Sequence, residues 1–71
     1  MQYLVVIEKG PTSYGAYVPD LPGCVAVAET RPEVTRLIHE ATAFHIEGLI
    51  GDGQIVPPPA GQAELVEVAA T

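Results

Sequence analysis

The sequence predicts an α+β fold of order βββαβ, with one helix packed on a four-stranded sheet. Three observations carry that expectation. Three short runs rich in β-branched and aromatic residues open the chain, separated by glycine- and proline-bearing turns. One capped amphipathic stretch follows from Arg31, and a last β-branched run, ELVEV, stands beyond a proline loop.

Residues Tyr3 to Glu8 (YLVVIE) have a strand's length and composition. GPTS, from Gly10 to Ser13, is turn chemistry, so Tyr14 to Val18 (YGAYV) returns as the second arm of a hairpin. Pro19 and Pro22 cannot donate to a ladder, and each disfavours helix in the residue before it, which makes PDLPG a connection. Gly23 supplies backbone freedom before Cys24, where Cys24 to Glu29 (CVAVAE) resumes as the third strand.

Thr30 and Glu33 form a T-x-x-E capping box, and Pro32 in the first helical turn loses no intrahelical bond. At about 100° per residue, Val34, Leu37, Ile38, Ala41, Phe44, His45, Gly48 and Leu49 share one arc, the expected core face. Glu33, Arg36, Glu40 and Glu47 form a solvated stripe elsewhere, and Gly51 and Gly53 end the helix. Ile46 and Ile50 fall near His39 and away from the core arc; either the proline loop covers them or they mark a subunit or partner contact. Gln54 to Ala63 is an extended loop. Glu64 to Val68 is the fourth strand, parallel beside the first, as a meander with a helical return predicts.

Seventy-one residues make a single domain, 1–71, that buries only about 60% of its unfolded surface. Cys24 is the sole cysteine, so no intrachain disulfide supplements the core, and self-association into a homo-oligomer is expected. The chain has no long apolar run and no signal-peptide pattern, which predicts no membrane segment and a cytoplasmic location. Lys9, Arg31 and Arg36 face nine carboxylates, for a net charge of -6. That balance lacks the footprint of a nucleic-acid binder and suits a basic partner protein.

His39 and His45 sit about 120° apart around the helix and about 9 Å apart along it, so they cannot share an ion. His45 reads first as a partly buried core histidine, with a general base as the alternative. Cys24 has no cation near it in sequence and reads as a small buried residue. Glu8, Asp20 and Glu29 fall at strand ends without metal-site spacing. The expectation is therefore no catalytic residue, no metal and no cofactor. The competing classes are a small metal-dependent nuclease or hydrolase using His45 and the strand-end carboxylates, and an orphan oligomer with an unknown ligand.

The run YLVVIE, then YGAYVPDLPGCVAVAET, the helix and the proline-bearing tail together resemble the HicB-like antitoxin family over nearly the whole chain. The most specific part is PDLPGC (Pro19, Asp20, Leu21, Pro22, Gly23 and Cys24) followed by Thr30. The resemblance implies an incomplete ribonuclease-H-like domain, without catalysis of its own, that binds and occludes a small basic mRNA-cleaving toxin of the HicA type. Many members carry a C-terminal DNA-binding module, and the expectation here is a domain without one. Asp20, in the turn, and Glu33, Glu40 and Glu47, on the helix, are the candidate acidic contacts. Ile46 and Ile50 are the candidate oligomer contacts.

Overall fold

Three strands and one helix make the body: β1 (Val6–Lys9), β2 (Tyr14–Tyr17), β3 (Val25–Ala28) and α1 (Arg31–Gly51). The structure is a computed structural model and describes residues 1–69. Residues 70 and 71, the end of the expected domain, lie outside the described residues. The sheet is antiparallel in the order β1-β2-β3, with Ile7 opposite Ala16 and Ala16 opposite Ala26. GPTS closes the first hairpin, where the Gly10 N–H donates to the Ser13 carbonyl at 2.7 Å.

PDLPGC is a wound connection. The Leu21 N–H donates to the Val18 carbonyl at 3.0 Å, the Cys24 N–H to Leu21 at 3.0 Å, and the Val18 N–H to Cys24 at 3.1 Å. Pro19 and Pro22 occupy the places where no donor is needed, and Gly23 takes a φ of 85°, which an L side chain adopts only with strain. The winding drops Leu21 fully into the core, beside Ala16, Val18, Cys24, Val34 and Ile38. A motif legible as turn chemistry thus also supplies a central core residue.

Thr30 caps the helix with extended backbone, its Oγ1 accepting the Glu33 N–H at 3.3 Å, an interaction worth about 1 kcal/mol. The helix runs through Gly51. It closes where the Gly53 N–H donates to the Ile50 carbonyl and Gly53 itself turns to a φ of 71°.

The buried stripe of α1 differs from the expected arc. Phe44, placed in the core by its hydrophobicity, is 77% exposed, and Gly48 is exposed as well. Ile46, placed outside the arc, packs against the core with Ala41 and Leu49. Thr42 shares this inner face half-buried, its hydroxyl donating to the Ile38 carbonyl at 2.7 Å. A threonine satisfied within the helix tolerates the inner face, and the stripe follows Ile38, Thr42 and Ile46 instead of turning toward Phe44.

Glu64–Val68 forms no strand in the structure. Leu65, Val66 and Val68 are 101%, 77% and 76% exposed, and the segment joins no ladder. A strand exists only where a neighbour takes up its backbone groups, and this segment runs off the body. The radius of gyration is accordingly 14.3 Å, against about 11 Å for a compact chain of this length.

Candidate partner-binding surface

Glu33, Glu40 and Glu47 recur every seven residues, so they drift only about 20° per step around α1 and line one exposed stripe about 21 Å long. Arg36 Nη1 donates to both Glu40 carboxylate oxygens at 3.2 Å. Both side chains are well exposed, and such a pair adds little stability. Phe44 stands one turn beyond Glu40 and one turn before Glu47, on the same flank. The ring stands exposed between two carboxylates, an apolar spot within an acidic stripe. Helix spacing places the three glutamates on a solvated stripe and Phe44 on the core face; the structure exposes all four.

The sheet offers a second apolar surface. Val6, Tyr17 and Val25 stand opposite one another in one row, and Glu8, Gly15 and Val27 form the next, all on the face away from α1. Tyr17, Val25 and Val27 are exposed there, while Ala26 and Ala28 turn inward beneath the helix. The alternation in VAVA carried that signal: small residues face the helix and large ones face out. Ile50, at the end of α1, is also exposed.

Asp20 is engaged within the chain. Its Oδ2 accepts the backbone N–H groups of Ala60 at 2.9 Å and Gly61 at 2.8 Å, which pins the end of the proline loop against the signature turn. Those bonds, Gly61 first and Ala60 second, lower its pKa below the ordinary carboxylate value and outweigh desolvation. A lowered folded-state pKa gives stability that is fully present above the unfolded value and lost as pH falls through the folded one. The urea midpoint of wild type should therefore exceed that of Asp20→Asn at neutral pH, with the gap closing below about pH 3.9. A gap that stays constant down to pH 2.5 would show that the charge of Asp20 is not its source.

His39 is exposed and His45 half-buried, and the helix keeps them apart. Cys24 is buried with its Sγ 3.7 Å from Thr42 Oγ1. Among the described residues no group of three or more metal-ligating side chains converges, and no helix is long and apolar enough to cross a membrane.

Comparison with known proteins identifies the family. The model of the HicB-like antitoxin of bacterial toxin-antitoxin systems matches residues 3–70. The chain belongs to the HicB-like antitoxin family. A similar protein is the uncharacterized 14.9 kDa protein in the rep-hol intergenic region of Haemophilus phage HP1 (strain HP1c1), 40% identical over 57 residues. That match takes in 80% of this chain and 43% of the phage protein, so the chain spans less than half the length of this relative. Among solved structures, a chain of the HicA3 and HicB3 toxin-antitoxin complex superposes with a TM-score of 0.71 at 33% identity, covering 83% of this chain and 70% of that one. The α+β body of this chain, three antiparallel strands followed by one helix, matches that structure.

Proposed function

We propose that this chain is a non-enzymatic antitoxin module that binds a small basic toxin of the HicA type and covers its working surface. The observation that carries the reading is Phe44, 77% exposed between Glu40 and Glu47. An RNA-cleaving toxin must present cations to phosphate, and a chain of net charge -6 offers the complementary field. Family membership and the likeness to a HicA3 and HicB3 complex support the same partner class. Glu33, Glu40 and Glu47 act at the rim, Phe44 at its centre, and Asp20 holds the adjacent proline loop in place. In this reading the single domain works in the cytoplasm as a homo-oligomer, with exposed Ile50 at a contact between copies and Ile46 supporting it from the core side. A fourth strand completes its partial ribonuclease-H-like sheet.

The test is binding kinetics with a HicA-type toxin at low and high salt. Glu33→Gln/Glu40→Gln/Glu47→Gln should slow association and flatten its salt dependence while changing dissociation less, because rim charges steer encounter. An association rate that ignores both salt and the triple substitution would overturn the electrostatic mechanism.

A further inference from the structure

We propose that Glu64–Val68 supplies the fourth strand to a second copy of this chain. Each arm lies parallel beside the β1 edge of the other molecule, in a closed two-fold exchange. The inference does not depend on the toxin reading.

Leu65, Val66 and Val68 project from the body almost fully exposed, in a chain whose longest dimension is 53 Å against a shortest of 16 Å. The family match runs through residue 70, so this apolar arm is part of the domain. Exposed β-branched segments of this kind pair with open sheet edges.

β1 pairs with β2 on one side only, and α1 lies over β2 and β3. Val5 and Ile7 face the helix layer, yet stay half-buried for want of a neighbour beyond β1. Strand alternation sends Val66 and Val68 to one face and Leu65 and Glu67 to the other. With Val66 and Val68 turned toward the helix layer, an added strand covers Val5 and Ile7 and fills the open flank.

The root of the arm decides where it goes. Asp20 holds Ala60 and Gly61, and Tyr3 donates its hydroxyl proton to the Pro57 carbonyl. Gly61 lies so close to Leu4 that a Cβ on it would come within 3.3 Å of that side chain. The root is thus fastened beside the entrance to β1, and the chain leaves its own body from there. Donor root and acceptor edge share one end of the molecule, so a single two-fold operation brings each arm over the other copy's edge and closes the pair.

The experiment is sedimentation equilibrium of the full chain and of Val66→Glu/Val68→Glu, with circular dichroism as the check on folding. Wild type should sediment as a dimer and the variant as a monomer with its helix content intact, since both positions are exposed within the single chain. Hydrogen exchange should show the outward amides of Val6–Lys9 protected in the dimer and fast in the variant. A monomeric wild type with those amides protected means that the arm folds back on its own edge, and it overturns the exchange. A dimer that survives the double substitution also overturns it, and assigns association to another surface such as the exposed Ile50 end of α1.

Discussion

Ile38→Ala is expected to destabilise the domain by about 3 kcal/mol. Ile38 is fully buried where α1 meets the sheet, and truncating such a side chain loses transfer free energy and leaves a cavity, together about 2 to 5 kcal/mol. A domain of this length holds only about 4 to 10 kcal/mol in total. The same loss should lower the thermal midpoint by about 12 to 24 °C. Thermal and urea denaturation give the number directly, and a loss below about 1 kcal/mol would show that the surrounding residues close the cavity.

Phe44→Lys is expected to weaken binding of a HicA-type toxin by about 30-fold or more, which is about 2 kcal/mol and the size of a lost interface anchor. The substitution also places a cation where a basic partner approaches. Stability should change by no more than about 0.5 kcal/mol, since the ring is exposed in the free chain. Isothermal titration calorimetry measures the affinity, and the denaturation curve checks the fold. Unchanged affinity would remove Phe44 from the interface and direct attention to the other exposed apolar surfaces, the outer sheet face among them.

The first three strands, the turns and the helix start were legible because each rests on local chemistry. Prolines that cannot donate, a glycine at positive φ and a threonine hydroxyl over the first turn act within a few residues of themselves. The rotation of α1 was not legible from hydrophobicity alone. A ring such as Phe44 outweighs Thr42 on any apolar scale, whereas the hydrogen bond from Thr42 to Ile38 makes the threonine the better neighbour for the core. Asp20 was legible as an acidic turn residue but not as the anchor of Ala60 and Gly61, because that pairing joins distant parts of the chain. The β composition of Glu64–Val68 was legible too. The spacing names the edge, beside β1, and leaves open whether that edge belongs to the same molecule or to a second copy.

The long-range fastening at Asp20 and Tyr3 also bears on the order of folding. β1, β2, β3 and α1 contact one another mainly as chain neighbours, whereas Asp20 reaches forty residues ahead to Ala60 and Tyr3 fifty-four ahead to Pro57. Local contacts close small loops and form early, while contacts across such separations meet the larger entropic cost and form late. The hairpins and helix therefore make a fast-forming kernel, and the proline loop settles on it as the final step. That last step is also the easiest to reverse, since a few hydrogen bonds part without disturbing Leu21, Val34 or Ile38. The proline loop beyond α1 can lift and re-seat while the kernel stays folded, on a timescale set by local opening and not by global unfolding.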